Sequence, residues 1–206
     1  MGITIYYKGS IPNQKLIDQL QEEMVDISET LNWSYHLWNE DQNRPFNASI
    51  VHTDNGARIE GHIPLRGITI YVDPHVEPFN LLFNPKLQLS TFMLEILKHD
   101  GTLEKDFAWI SVKTQFGDVN AHIGIVKMLR HLKKVYLPDL EVKDEGEYWE
   151  TGDKERLLEL RGFLFTKMNQ LESALSSIQM KENMTTNELV EKIEEILKKL
   201  LKKGKE

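Results

Sequence analysis

The stretch that decides the fold begins at Ile3-Thr4-Ile5-Tyr6-Tyr7, an apolar run that predicts a β-strand. A turn follows at residues 9–12, then an amphipathic helical stretch over about residues 13–32, and then a second strand-like run at residues 34–38. The order strand, helix, strand therefore predicts a β-α-β unit over about residues 2–40.

The same order recurs over about residues 107–144, with almost no residue identity to the first unit. Phe107-Ala108-Trp109-Ile110-Ser111-Val112 predicts a strand, Gly117-Asp118 a turn, and the residues up to Tyr136 a helix with a wide apolar arc. Leu140-Glu141-Val142 predicts the closing strand. Two such units indicate a pseudo-symmetric body, and we expect it to bind ligands in the groove between its halves.

A β-meander is predicted between the two units. Short strands at about residues 48–52, 58–63 and 68–72 are separated by turn sequences such as Asn55-Gly56. We therefore expect an α+β fold, with a mixed, mostly antiparallel sheet built from the two β-α-β units and the meander. Residues 1–152 would form this body.

Residues 153–206 are predicted to form a helical extension of two amphipathic helices. Apolar residues in the first helix recur at steps of three and four, close to a heptad pattern; they are Leu157, Leu160, Leu164, Met168, Leu171, Leu175 and Ile178. A capping box at Thr185-Thr186-Asn187-Glu188 predicts the second helix. The apolar faces are covered either within one chain or by a second copy, and the sequence leaves both arrangements open.

Composition narrows the classes of function. The formal net charge is −7 and spread along the chain, so we expect no binding to nucleic acid, which needs clustered Lys and Arg. The absence of cysteine excludes disulfides, thiolate metal sites and cysteine nucleophiles. There is no leader pattern at the start and no apolar run near the ~20 residues that span a bilayer, so we expect a cytoplasmic protein without a membrane partner.

One candidate metal site lies in the central hairpin region, which contains His52, Glu60, His62, Asp73 and His75. Imidazole and carboxylate ligands suit Zn, Mn or Fe, and an open coordination position on such a metal can activate water. The candidate ligands are His62, Asp73 and His75. Their spacing matches no familiar ligand motif, and the alternative is that they face solvent at strand ends.

A candidate ligand site lies where the second predicted helix begins, with Lys113, Gln115 and His122 around it. Helix N-termini attract anions because their N–H groups are unpaired. The sequence has no phosphate-binding glycine loop here, however, and Asp118 is placed to cap the helix. The alternative for His122 is a hydrogen-bonded core residue.

The loop over residues 144–153 is acidic and carries two aromatic residues, Tyr148 and Trp149. These could hold a basic partner or close over a pocket. The alternative is a surface loop that the two aromatic side chains attach to the core.

No set of residues fixes a reaction, so we assign no catalytic residue and no cofactor. The sequence favours a non-enzymatic binding or interaction module that forms a homodimer, its partner being a second copy or another protein. The alternative is a metal-dependent hydrolase that uses the histidine and aspartate site of the central hairpin region.

Overall fold

The computed structural model describes residues 3–54 and 56–176. The chain divides into two compact units with the boundary between Lys154 and Glu155, two residues beyond the boundary expected from the sequence. Helices and antiparallel sheets are both present, so the fold class is α+β, as predicted.

Strands and helices alternate irregularly along the first unit. The strands in the described residues are β1 (Thr4–Lys8), β2 (Ser34–Asn39), β3 (Ser49–Thr53), β4 (Gly56–Glu60), β5 (Arg66–Tyr71), β6 (Phe79–Phe83), β7 (Leu89–Ser90), β8 (Ile110–Lys113) and β9 (Glu141–Asp144). The helices are α1 (Gln14–Thr30), α2 (Phe92–His99), α3 (Val119–Val135), α4 (Tyr148–Thr151) and α5 (Lys154–Ser176). Side-chain oxygens cap the first three helices, since Asn13, Thr91 and Asp118 accept hydrogen bonds from first-turn N–H groups.

The strands form three antiparallel sheets in the described residues, where the sequence predicted one mixed sheet. In the first sheet, with order β8-β1-β9, the central β1 is antiparallel to both neighbours. Helix α3 therefore connects two parallel strands that have β1 between them. The second sheet has the order β2-β5-β6-β7, and β3 and β4 form a separate hairpin.

The first predicted β-α-β unit is divided between two sheets. Both edges of β1 are already paired, with β8 and β9, so β2 cannot join it. Instead β2 pairs with β5 along six residues, from Ser34 opposite Tyr71 to Asn39 opposite Arg66. The strand-helix-strand order repeats as the sequence suggested, but the two units are not equivalent in three dimensions.

Helix α1 packs on the second sheet through buried Ile17, Leu20 and Met24. Gln21 is buried beside them and donates a hydrogen bond from Nε2 to the carbonyl oxygen of Gly67 at 2.7 Å. Gly67 has a φ of 142°, and a Cβ there would lie 2.0 Å from the carbonyl oxygen of Leu81. Glycine is therefore required where β5 passes β6.

The free edge of β8 is covered by Glu77. Its backbone N–H donates to the carbonyl oxygen of Lys113 at 3.0 Å, and its Oε2 accepts the N–H of Lys113 at 2.8 Å. The next residue is Pro78, which has no N–H to donate. A single residue thus satisfies the outermost backbone groups at the end of this strand.

Tyr7 connects the first sheet to the second. Its side chain is fully buried, and its hydroxyl donates to the carbonyl oxygen of Asn80 at 2.8 Å while accepting the N–H of Asn80 at 3.2 Å. The Tyr7 ring lies 5.5 Å from that of Phe79, between ring centroids. Burial raises the pKa of the Tyr7 hydroxyl, so it stays protonated and can donate.

In the second unit, the helix predicted from about residue 153 begins at Lys154 and is described as far as Ser176. The side chains of Leu171 and Leu175, together with Ile178 and the whole second predicted helix, lie outside what the structure describes. Within the described part of the chain, no helix combines the length and the apolar character needed to cross a membrane.

We expect Tyr7→Phe to destabilise the protein because it leaves the half-buried N–H and carbonyl of Asn80 without their shared partner. The expected loss is about 1–3 kcal/mol of the free energy of unfolding, measured by urea denaturation. Tyr6→Phe is the matched control, since Tyr6 is the next residue of β1 and its side chain is partly exposed. Equal stability of the two variants would contradict a structural role for the Tyr7 hydroxyl.

Candidate functional site

His62, one of the three predicted metal ligands, is buried and occupied by other contacts. Its Nδ1 lies 3.0 Å from Oε2 of Glu40, and its Nε2 lies 2.9 Å from the carbonyl oxygen of Asp41. Its backbone N–H donates to Oδ1 of Asn47 at 2.6 Å. Both ring nitrogens are used, and His62 holds the loop that precedes β3.

Asp73 and His75 lie together in a different turn. Asp73 accepts the N–H of His75 at 2.7 Å and the N–H of Asp118 at 3.3 Å, and chiefly the first bond lowers the pKa of Asp73. The ring of His75 is exposed. The structure does not bring His62 together with these two residues, and across residues 3–54 and 56–176 no three His, Asp or Glu side chains are arranged to hold a metal ion.

The other two residues of the predicted metal set, His52 and Glu60, lie on the separate hairpin. His52 is opposite Ala57 and Glu60 is opposite Ser49, and both side chains are exposed. Glu60 forms an ion pair with Arg58. Both residues therefore face solvent from a strand, which was the alternative given for them in the sequence analysis.

His122 is a hydrogen-bonded core residue. It is fully buried, with Nδ1 2.7 Å from Oγ1 of Thr114 and Nε2 3.1 Å from Oδ2 of Asp144. Asp144 also accepts the N–H groups of Gly146 at 2.7 Å and Trp149 at 2.9 Å. Burial alone would raise the pKa of Asp144, but His122 and these N–H groups hold it below its ordinary value.

Thr114, His122 and Asp144 are linked in the order hydroxyl, imidazole and carboxylate, which is also the order of a hydrolytic triad. Here the hydroxyl of Thr114 is fully buried, lies 3.2 Å from the carbonyl oxygen of Ile3, and is closed off from any substrate. A nucleophile has to reach a reacting carbon, so this arrangement is structural.

The other residues of the predicted ligand site have surroundings of their own. Gln115 is buried, and the amine of Lys113 lies 5.3 Å from the ring centroid of Phe116. The N-terminus of α3 is capped by the Asp118 carboxylate, whose Oδ1 accepts the N–H of Asn120 at 2.6 Å. A carboxylate in this position repels an anion, which weighs against an anionic ligand at this helix end.

Tyr148 and Trp149 lie in the short helix α4, which is attached to α3. Arg130 donates from Nη2 to the carbonyl oxygens of Tyr148 and Trp149 at 3.0 and 2.6 Å, and its guanidinium carbon lies 5.8 Å from each ring centroid. Tyr148 is buried. These contacts attach the segment to the core, as the second of the two interpretations of the sequence predicted.

A cleft of about 640 Å³ lies between the first and second sheets, and we call it the aromatic cleft. Tyr6 of β1 and Ser111 of β8 form one wall, and Trp38 of β2 with Tyr71 of β5 form the other. Helix α2 closes one end, and the segment before β8 adds further apolar surface. The aromatic and aliphatic lining from these two segments is Phe92, Met93, Leu94, Leu97, Leu103, Phe107 and Trp109.

A directed chain of hydrogen bonds crosses the floor of the aromatic cleft. Trp38 donates from Nε1 to Oγ1 of Thr69 at 3.0 Å, and Thr69 donates to Oδ1 of Asn80 at 2.8 Å. Asn80 in turn donates from Nδ2 to the carbonyl oxygen of Pro78 at 3.1 Å. The amide of Asn80 has a second N–H, which has no acceptor in the described chain.

Trp109 is held at the edge of the aromatic cleft by two cations. The amines of Lys8 and Lys143 lie 5.0 and 4.5 Å from its ring centroid. Both lysines come from strands of the first sheet, so the ring is fixed to a rigid element. Sequence patterns missed this site because Trp38 and Trp109 lie in apolar segments and resemble core residues.

The chain matches no protein-family model, no curated protein and no solved structure.

We expect Asp144→Asn to destabilise the protein, by about 3 kcal/mol at neutral pH, because it leaves His122 without its buried carboxylate. The folded pKa of Asp144 lies below its unfolded value of about 3.9, so its contribution is present above that pH and is lost as the pH falls through the folded pKa. As the pH falls below about 4, the free energy of unfolding should therefore fall less in the variant than in the wild type.

Urea unfolding at a series of pH values measures both effects. Asp26→Asn is the control, since Asp26 is an exposed residue of α1. If Asp144→Asn and Asp26→Asn gave the same stability and the same pH profile, the buried pair would have no structural role.

Proposed function

We propose that the protein is a non-enzymatic binding protein whose aromatic cleft holds a small, mostly apolar ligand that carries an aromatic ring. The observation that carries the proposal is the cleft itself, since a volume of about 640 Å³ is of the size that encloses small molecules. Its lining is dominated by aromatic and aliphatic side chains from two sheets and α2. Aromatic rings in such walls favour offset or edge-to-face contacts with a ligand ring.

The polar groups of the cleft support a ligand with one hydrogen-bonding group. Thr69 and Asn80 lie on the floor, and the second amide N–H of Asn80 can donate to a ligand oxygen. Glu77 is the single charged residue of the lining, and there is no lysine or arginine in it. This charge disfavours an anion, so we propose a neutral ligand.

The same lining favours binding over catalysis. It contains no histidine, and within the described chain none of its threonine and serine hydroxyls, from Thr69, Thr91 and Ser111, is hydrogen-bonded to an imidazole. Nucleophilic or general-base chemistry needs such a neighbour.

The absence of cysteine supports a cytoplasmic location, which we retain as part of the proposal.

We expect the wild-type protein to bind N-phenyl-1-naphthylamine, a neutral aromatic probe whose emission rises in an apolar site. Ser111→Trp places a large side chain in the cleft and should weaken this binding by at least about tenfold. The measurement is a fluorescence titration of each variant.

The matched control is Ser49→Trp, which adds the same side chain to an exposed strand position outside the cleft lining. It should bind the probe as the wild type does. Equal affinity in the two variants, or no binding by the wild type, would contradict a ligand site in the aromatic cleft.

The homodimer predicted from the sequence is a second proposal, and its support comes from α5. Leu158 and Phe165 lie seven residues apart, on the same side of the helix, and are 39 and 40% exposed. A second copy of this chain that packs here would remove both from water. We propose no nucleic-acid or membrane partner.

We expect sedimentation equilibrium to give a dimer mass for the full chain and a weaker dimer for Leu158→Ser with Phe165→Ser. The control replaces Glu159 and Thr166 by serine, since these exposed polar residues have the same spacing. A monomeric wild type, or equal dissociation constants for the two double variants, would overturn the dimer.

A further inference from the structure

A second cleft, of about 530 Å³, lies between the loop that follows β2, the loop between β6 and β7, and the end of α2. We call it the basic cleft because its lining includes four permanent cations: Arg44, Lys86, Lys98 and Lys105. We propose that the basic cleft binds a small, multiply charged phosphate ligand of the diphosphate or triphosphate class.

The four cations are available to such a ligand. Some basic side chains of the first unit are paired, as Lys8 is with Glu141 at 3.0 Å and Arg66 is with Asp18 at 2.6 Å. By contrast, none of the four cations has a carboxylate oxygen within 4.0 Å in the described chain. Unpaired cations that share one cleft repel each other, and in a chain of net charge −7 this concentration needs an explanation.

The cleft contains one carboxylate, Glu95, and that group is already engaged. Its Oε1 accepts hydrogen bonds from Nδ2 of Asn84 at 3.1 Å and from Oγ of Ser90 at 2.5 Å. Glu95 therefore serves to orient Asn84, which is 6% exposed. Both bonds use Oε1, and within the described chain neither oxygen of this carboxylate comes within 4.0 Å of the four cations.

Two of the cations lie on loops that side chains hold in place. Oδ1 of Asn84 accepts the N–H groups of Lys86 at 3.0 Å and Gln88 at 3.2 Å, which fixes the loop that carries Lys86. Nε2 of Gln42 donates to the carbonyl oxygen of Phe83 at 2.9 Å, two residues before Arg44 in the other loop. Because these loops are already ordered, a ligand that binds here does not have to pay the entropy cost of ordering them.

The helix dipole offers a simpler explanation for one part of the cluster. Lys98 and His99 lie in the last turn of α2, where cations are favoured without any ligand. That explanation does not extend to Arg44, Lys86 and Lys105, which come from outside the helix. Since the other three converge on the same cleft as Lys98, a shared anionic ligand accounts for all four.

The kinds of cation suit a phosphate. Three of the four are lysines, which bind phosphate oxygens as point charges, and the fourth is an arginine, whose paired N–H groups also match phosphate. The number of cations also suits a diphosphate, which carries several negative charges at neutral pH. The aromatic cleft, by contrast, has no Lys or Arg in its lining.

The test is isothermal titration of the full chain with inorganic pyrophosphate at low ionic strength. We expect saturable one-to-one binding that weakens as sodium chloride is added. The double variant Lys98→Gln with Lys105→Gln should bind at least about tenfold more weakly, because half of the cationic charge is gone. Its melting temperature without ligand should change little, since it loses no ion pair and only the interaction of Lys98 with the end of α2.

The matched control is Lys15→Gln with Lys127→Gln, which removes the same charge from exposed positions outside the basic cleft. It should bind pyrophosphate as the wild type does. Equal weakening in the two double variants, or no binding by the wild type, would overturn the site. Citrate that binds as tightly as pyrophosphate at equal ionic strength would overturn its assignment to phosphates.

Discussion

The contact between His122 and Asp144 determines how the first sheet is assembled. Both side chains are buried, and a buried carboxylate is tolerated when it is paired and fully hydrogen-bonded. Nε2 of His122, on α3, and the N–H groups of Gly146 and Trp149 supply those bonds. Thr114, just beyond β8, contacts the other ring nitrogen. One imidazole therefore ties the end of β8 to the end of β9 and fixes α3 across the sheet.

That assembly also positions the aromatic cleft. Because β8 and β9 take both edges of β1, the first sheet is complete and β2 has to pair in the second sheet. Two sheets then face each other across the cleft, and the Tyr7 hydroxyl joins them through Asn80. The same Asn80 accepts the hydrogen bond from Thr69 on the cleft floor. The link between the sheets and the polar group offered to a ligand belong to one residue.

Local patterns in the sequence predicted the local structure well. The apolar stripe of α1, the wide apolar arc of α3 and the run that forms β1 depend on periodicities of 3.6 and 2 residues, which tertiary contacts did not override. The strand pairing could not be predicted in the same way. Tyr7 and Asn80 are 73 residues apart in sequence, and no periodicity encodes such a contact. The two clefts were missed for the same reason, since the cations of the basic cleft are spread between Arg44 and Lys105.

The candidate histidines show what residue type alone leaves open. His62 and His122 were candidates because imidazole binds metals and anions, with a hydrogen-bonded core residue as the alternative for His122, and each has both ring nitrogens engaged by the protein. A buried histidine costs the fold free energy unless its polar atoms are paired, so such pairing is the common outcome. On helix α2, by contrast, residue type agrees with the surroundings of each side chain. The helix borders the aromatic cleft through Leu97 and the basic cleft through Lys98, two neighbouring residues that point to different chemistry.

The way Glu77 covers the end of β8 has a consequence for how copies of this protein behave when crowded. An exposed strand edge offers a row of free N–H and C=O groups to which a strand of another molecule can add. At Lys113 those groups already bond to Glu77, and the neighbouring Pro78 cannot extend a ladder. The opposite edge strand, β9, carries Glu141 and Lys143, whose exposed charges disfavour an incoming strand. Both edges of the small sheet thus carry groups that disfavour pairing with a strand of another molecule.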